Sequence, residues 1–139
     1  MPPNWIRSRT VEPIPLPLTP VAATVARRHV QAAGEAWHPE VRDVAVLLTS
    51  ELVANAIVHG TGPVTLSVQD SSGQIRVEVA DTGPRPAQRP TSEHSATGES
   101  GRGLQIVDAL ATTWGSDPRV GAAGKTTWFA LQHRDVPHA

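Results

Sequence analysis

The sequence predicts an α+β fold, a two-layer sandwich in which a mixed or antiparallel sheet carries helices on one face. Its 139 residues, 39% of them hydrophobic and 18% charged, suit one compact domain. Strand-like and helical segments follow the order β, α, α, β, β, α, β, β, without the regular alternation of parallel α/β folds. A polar segment from residue 81 to 103 is longer than an ordinary connection, which indicates that it binds a ligand or moves.

The N-terminal part of the chain is rich in proline. Six of the 13 prolines lie in the first 20 residues, and proline donates no hydrogen bond to a sheet. We therefore interpret residues 1–13 as an arm, and residues 14–18, where apolar residues alternate with proline, as an edge strand. Thr19-Pro20 has the pattern of a capping residue followed by proline, which predicts a helix through about Ala36.

The second helix is predicted from Glu40 to about His59, after Pro39. It is apolar around most of its circumference, which indicates burial, and Gly60 is placed to cap it. The remaining elements complete a domain spanning residues 14–132, with residues 133–139 as a tail. They are a hairpin, a third helix and two last strands: Val64–Gln69 and Gln74–Ala80, Leu104 to about Thr112, and Thr113–Ser116 and Thr126–Gln132.

Composition excludes several classes of function. Twelve basic and 13 acidic side chains nearly cancel, so no large positive field is available to hold a nucleic acid. The absence of cysteine excludes disulfides and thiolate metal sites. No apolar stretch approaches the ~20 residues that cross a bilayer, and the first residues do not resemble a secretory signal. We expect a cytoplasmic protein with no direct contact to nucleic acid or membrane.

Three polar residues of the second helix, Glu51, Asn55 and His59, are spaced four apart and so share one stripe. A solvated face or a structural polar contact is the simplest interpretation. Glu51 and His59 are two turns, ~12 Å, apart and cannot ligate one ion together. The alternative is functional: the carboxylate accepts a proton, and the amide oxygen binds a Mg²⁺ ion that carries phosphates.

Glycine-rich segments follow Asp81 and precede the third helix. Asp81 leads into Gly83-Pro84, where a ligand could approach the backbone and donate an amino hydrogen to the carboxylate; an ordinary turn explains the same residues. Gly98, Gly101 and Gly103 come before the helix predicted at Leu104, an arrangement that presents backbone N–H groups to an anion.

Three better-known motifs fail on spacing. A P-loop ending at Gly124-Lys125-Thr126 would need glycine where Arg119 stands. A dinucleotide fingerprint starting at Gly101 would need glycine at Ile106. A hydrolase elbow around Ser100 would need glycine at Arg102. These phosphate-binding and nucleophile classes are therefore rejected.

Taken together and in order, four segments resemble the ATP-binding boxes of the GHKL superfamily. The likeness covers about residues 14–132, and the short chain is most similar to the actinobacterial anti-sigma-factor serine/threonine kinases, single-domain relatives of the histidine-kinase ATPase domain. The resemblance implies the Bergerat-type ATP-binding fold. The four segments are Glu51–Gly60, Asp81–Pro84, Gly101–Leu104 and Gly124–Phe129.

The resemblance implies a role for each matching residue. Asn55 would ligate the Mg²⁺ that bridges the phosphates of ATP, and Asp81 would accept a hydrogen bond from the adenine amino group. Gly83 would let the base approach the turn, and Thr126 would support the adenine pocket. Glu51 would be the general base that activates a serine hydroxyl of a protein substrate.

The phosphate end of the implied site lies around the third helix. Gly101, Gly103 and Leu104 would contact the phosphates, under a mobile lid from about Arg85 to Ser100. Arg85 stands where many relatives carry a second glycine, which bears on lid closure and nucleotide affinity. It could reach phosphate oxygens, as could Arg89 and Arg102, although a solvated arginine is the commoner outcome.

The implied function is phosphorylation of an anti-sigma-factor antagonist, together with sequestration of a sigma factor by the kinase dimer. A homodimer is expected from the resemblance, and the open sheet face and the arm offer surfaces for it. The alternative is a nucleotide-binding regulatory module that acts by partner exchange with little or no kinase activity. A detached histidine-kinase catalytic domain is a third interpretation, weakened by the lack of a segment for the dimerisation hairpin.

Overall fold

The computed structural model describes the backbone of residues 9–59, 63–71, 73–82, 99–119 and 124–132. Within these ranges the chain forms an antiparallel five-stranded sheet and three helices. The strand order across the sheet is β1-β2-β3-β5-β4, so β1 and β4 are the edges. The predicted α+β fold is confirmed. The elements are β1 (Arg9–Leu16), α1 (Ala22–Ala33), α2 (Pro39–His59), β2 (Val64–Ser71), β3 (Gln74–Asp81), α3 (Glu99–Leu110), β4 (Thr113–Pro118) and β5 (Lys125–Gln132).

The first strand begins earlier than the alternation of proline and apolar residues predicts. β1 starts at Arg9 instead of Ile14 and pairs with β2, with a break in register between Val11 and Ile14. Pro13 lies in this irregular stretch. A proline is tolerated there because β1 is an edge strand and needs fewer hydrogen bonds than an inner one. The last residues of the predicted arm therefore take part in the sheet.

The start and end of α1 follow from local hydrogen bonds. The helix begins at Ala22 with Val21 as its N-cap and no side-chain cap, so the predicted start at Thr19-Pro20 is two residues too early. Thr19 instead closes a turn before the helix, where its carbonyl accepts from the Ala22 amide at 2.9 Å. The helix ends at Ala33, before the predicted Ala36, and the Gly34 amide donates to the Val30 carbonyl at 2.8 Å. A Cβ at position 34 would overlap the ring of Trp37. The chain turns at Gly34 because the indole packs directly on its backbone.

The core lies between the helices and one face of the sheet. The β2–β3 hairpin alternates as predicted, and its inward side chains are fully buried. Burial of one valine, leucine or isoleucine side chain stabilises the fold by about 1.5–3 kcal/mol. The sheet contributes Val64, Leu66, Val68, Ile75, Val77, Val79, Phe129 and Leu131, and α2 contributes Val41, Ala45, Leu48, Leu52, Val53 and Ala56.

The opposite face of the sheet carries polar groups around one indole. The Arg76 guanidinium lies 4.0 Å from the centre of the Trp128 ring, and Trp128 donates its indole N–H to Asp117 at 3.1 Å. A Cβ at Gly115 would meet the same ring at 3.0 Å. Trp128 therefore lies flat across its neighbouring strand rather than in the core between the layers.

The third helix begins at Glu99, not at the predicted Leu104. Gly101 and Gly103 consequently lie within the helix and not in a loop before it. Glycine costs about 1 kcal/mol relative to alanine inside a helix, so the sequence alone favours a later start. Leu104 and Val107 are buried in the core, and this packing stabilises α3 against the low helix propensity of its first turns.

Candidate functional site

Helix α2 separates its polar residues onto two sides. Ser50 accepts a hydrogen bond from Arg27 of α1 at 3.4 Å, so this side of the helix faces α1. On a helical wheel Glu51 and Asn55 occupy the other border of the buried face, pointing away from α1. Asn55 is 5% exposed, and Glu51 is half-buried. The two side chains are one turn apart on a border where a ligand can meet both.

His59, the third member of the predicted stripe, is the last residue of α2. Its side chain lies outside the part of the structure that is described. The stripe is therefore supported for Glu51 and Asn55 only. The observed burial of Asn55 argues against a simple solvated face for that residue, because a buried amide is costly unless it is hydrogen-bonded.

The carboxylate of Asp81 is buried at the end of β3. The residue is 1% exposed and pairs across the sheet with Lys125, the first residue of β5. The Lys125 ammonium donates to Oδ1 at 3.3 Å and lies 3.0 Å from Oδ2. A carboxylate held by a neighbouring cation in the interior is a charged acceptor, which suits it to bind an amino group of a ligand.

Gly124 fixes the backbone next to this ion pair. Its φ is +103°, and a Cβ there would overlap the Asp81 carbonyl oxygen and lie 2.5 Å from the Cα of Thr82. Only glycine allows both the backbone conformation and this close approach. The Gly124 backbone therefore packs directly against the residue that the sequence predicts as the base-binding acid.

Lys125 is the residue that motif analysis missed. Side chains alternate along β5, so Lys125, Thr127 and Phe129 share the buried face with Asp81. Thr126 pairs with Ala80 and lies on the opposite face. Its proposed support of an adenine pocket remains a prediction. Counting back in steps of two from Phe129 would have predicted that Lys125 is buried, although its pairing with Asp81 depends on the register of β3 and β5.

The phosphate end of the predicted site is only partly described. Leu104 is buried, 6% exposed, on α3, and the backbone of Gly101 and Gly103 is helical. Gly83 and the predicted lid up to residue 98 lie outside the described residues, as do Arg85, Arg89 and the side chain of Arg102. The predictions for this region remain predictions.

The donor set fits Mg²⁺ bound together with phosphates. In the ranges that the structure describes, no three His, Cys, Asp or Glu side chains are grouped as a metal cage. Mg²⁺ commonly binds through one or two protein oxygens plus phosphate oxygens and water. The amide oxygen of the buried Asn55 is of the right chemical type for such a ligand.

None of the described helices is long and apolar enough to span a membrane.

Comparisons with known proteins identify the family. A family model, the histidine kinase-like ATPase domain, matches residues 16–131, which include the segments 51–60, 81–84, 101–104 and 124–129 named in the sequence analysis. The chain belongs to this family and is a GHKL-type ATPase domain. A comparison with curated protein sequences gave no match.

Among solved structures, the chain resembles the histidine kinase domain of a blue-light activated histidine kinase from Erythrobacter litoralis EL346. The TM-score is 0.52 at 18% sequence identity, over 83% of this chain and 61% of the other. At this identity the likeness supports the fold alone. The chain spans about three fifths of the length of that domain.

Proposed function

We propose that this histidine kinase-like ATPase domain is an ATP- and Mg²⁺-dependent protein serine/threonine kinase. Its proposed substrate is an anti-sigma-factor antagonist, and its second proposed activity is to sequester a sigma factor. One observation carries the nucleotide-binding part: Asn55 and Asp81, the residues proposed for metal and base, are both buried polar side chains. Both lie within residues 16–131, which match the histidine kinase-like ATPase family model, and both carry oxygen atoms of the type that binds a cation or an amino group.

The proposed reaction assigns the proton transfer to Glu51. A serine oxygen of the substrate forms a bond to the γ-phosphorus of ATP, while the bond from that phosphorus to the ADP oxygen breaks. The serine proton goes to the Glu51 carboxylate. Glu51 is half-buried and one turn from Asn55, so a base and a metal ligand lie on the same border of α2. Mg²⁺ would neutralise charge on the phosphates.

Nucleotide binding is tested first by calorimetric titration with ATP, with and without Mg²⁺. We expect Asp81→Asn and Asn55→Ala each to weaken binding, the second mainly by reducing its Mg²⁺ dependence. Thr65→Ala, on the opposite face of the sheet, is the control and should bind as the unmodified chain does. Absence of nucleotide binding by the unmodified protein would refute the proposed function.

Kinase activity is tested separately with Glu51→Ala. Because a general base serves the chemistry and not nucleotide capture, we expect loss of phosphoserine on an antagonist protein with ATP affinity mostly retained. Asp43→Ala, an exposed carboxylate on the same helix, is the matched control. Parallel loss of binding and transfer in Glu51→Ala would contradict the base role.

The regulatory-module alternative makes a different prediction for the same experiment. It predicts nucleotide-dependent capture of partner proteins by the unmodified chain, with no phosphoserine on any antagonist tested. Mass spectrometry of the antagonist after incubation with Mg²⁺ and ATP separates the two functions. A phosphohistidine on a partner would favour the histidine-kinase interpretation instead.

A further inference from the structure

Asp81, the proposed base-binding acid, shares its buried position with a cation. Lys125 and Asp81 have side chains that are 2% and 1% exposed. Transfer of two charges from water to the interior costs several kcal/mol per ion, and a hydrophobic pair of similar volume often stabilises a fold as well or better. Stability alone is therefore a weak reason for an ion pair at this position.

The hydrogen-bonding capacity of the pair exceeds what the pair itself uses. An ammonium has three N–H donors, and a carboxylate has about four lone-pair positions. In the described part of the chain, the two polar contacts of the Lys125 ammonium are both with Asp81. Within the described ranges its hydrogen bond is to Oδ1, and its contact with Oδ2 is an ion pair, so Lys125 retains N–H donors for a further group. The pair can offer a donor and an acceptor side by side to a further group.

The edge of a 6-aminopurine has the complementary pattern. Its amino group donates, and N1, the ring nitrogen beside it on the pairing edge, accepts. Guanine has the reverse order at the same two positions, because its O6 accepts where the adenine amino group donates and its N1–H donates where adenine N1 accepts. It would therefore place an acceptor against the Asp81 carboxylate and a donor against the Lys125 ammonium. The arrangement favours adenine over guanine.

We propose that Lys125 is a specificity-determining residue that donates a hydrogen bond to the ring nitrogen next to the amino group of adenine, while Asp81 accepts from that amino group. This inference rests on the proposed function, because it requires that the chain binds an adenine nucleotide. It extends that function by naming the second group that recognises the base.

The test compares ADP analogues in calorimetric titrations of the unmodified full chain with Mg²⁺. The analogue 1-deaza-ADP replaces N1, the ring nitrogen in question, by C–H, whereas 7-deaza-ADP replaces N7, which flanks the amino group on its other side, and serves as the control. A hydrogen bond to a charged group corresponds to roughly 10- to 100-fold in affinity. We expect a loss of this size for 1-deaza-ADP, little change for 7-deaza-ADP, and weaker binding of GDP than of ADP.

The variant Lys125→Met completes a cycle with the analogues. Its affinity for ADP should fall, and exchange of ADP for 1-deaza-ADP should then cost no further affinity. Since this variant leaves Asp81 buried without its cation, Lys125→Met combined with Asp81→Asn provides a neutral pair if the single variant does not fold. The analogue comparison on the unmodified chain does not depend on either variant.

The outcomes separate this inference from the proposed function. If ADP and ATP do not bind at all, the proposed function fails, and this inference fails with it. If ADP binds and 1-deaza-ADP binds equally well, the Lys125 inference alone is overturned, and the ion pair is structural or is completed by water. Equal or tighter binding of GDP would also overturn it.

Discussion

Gly124 offers a sharp test of how the fold positions Asp81. In Gly124→Ala, the new Cβ would have to occupy space taken by the Asp81 carbonyl and the Thr82 Cα, at a backbone φ of +103°. Gly73, in the β2–β3 turn, is a matched control. It also has a positive φ, +86°, but no atom lies within 4 Å of a Cβ placed there. The pair of variants separates backbone strain from steric overlap.

The expected costs follow from these two differences. Gly73→Ala should lower the free energy of unfolding by about 1–2 kcal/mol, the cost of a side chain in left-handed backbone. Gly124→Ala has the same strain and must also displace the strand end, as in an overpacked core, which adds about 1–3 kcal/mol. Its total of about 2–5 kcal/mol is a large fraction of the about 5–15 kcal/mol that stabilises a typical domain.

Urea denaturation of both variants, followed by tryptophan fluorescence, measures the difference. Titration of the folded variants with Mg²⁺ and ADP then reports on the site. Because Gly124 contacts the backbone of Asp81, we expect Gly124→Ala to weaken nucleotide binding about tenfold or more, a free-energy change of about 1.4 kcal/mol, and Gly73→Ala to leave it unchanged. Equal loss of stability in the two variants, or unchanged affinity in Gly124→Ala, would refute this account of the strand end.

Three further predictions concern the rest of the domain. Burial lowers the pKa of His29 from its usual 6.5, so just below that pH the unfolded chain binds more protons than the folded chain, and stability is lost as the pH falls through the folded-state pKa. In urea denaturation at pH 5 and pH 8, the free energy of unfolding should therefore change less with pH in His29→Leu than in the unmodified chain. An equal pH dependence of the two would contradict this prediction. Leu52→Ala, at a fully buried position of α2, should cost about 2–5 kcal/mol, whereas Leu47→Ala, 41% exposed on the same helix, should cost much less by the same assay. Trp37→Phe removes the 2.8 Å hydrogen bond from the indole to Asp70 and should lower the melting temperature through a loss of about 1.5–3 kcal/mol; a melting temperature equal to that of the unmodified chain would show that this bond adds no net stability.

The periodicity of the sequence predicts the long elements well. α2 is recognisable because apolar residues surround most of its circumference, and the β2–β3 hairpin because its apolar residues alternate strictly. Both patterns arise from burial against the same core, so local propensity and packing agree. β1 and α3 are harder because tertiary contacts override the local signals. Pro13 is accepted at an irregular edge, and packing of Leu104 and Val107 stabilises a helix with two glycines in its first turns.

In the candidate site, too, some features follow from local sequence and others only from tertiary contacts. A motif identifies residue types in order along the chain, and it selects Asp81 and Asn55, both of which the structure shows to be buried. It does not identify which neighbouring side chain faces them, because that depends on strand register. Asp81 and Lys125 lie 44 positions apart along the chain and become direct partners only when β3 pairs with β5.

A shift of one residue in that pairing would exchange the faces of the side chains on β5. Thr126 would then face the core, and Lys125 would lie on the open face of the sheet. The buried Thr127, Phe129 and Leu131 exclude that arrangement, since the shift would expose all three. The hydrophobic alternation of β5 therefore determines that an ammonium, and not a hydroxyl, neighbours the Asp81 carboxylate. Core packing in this chain thereby selects one of the groups that we propose to recognise the base.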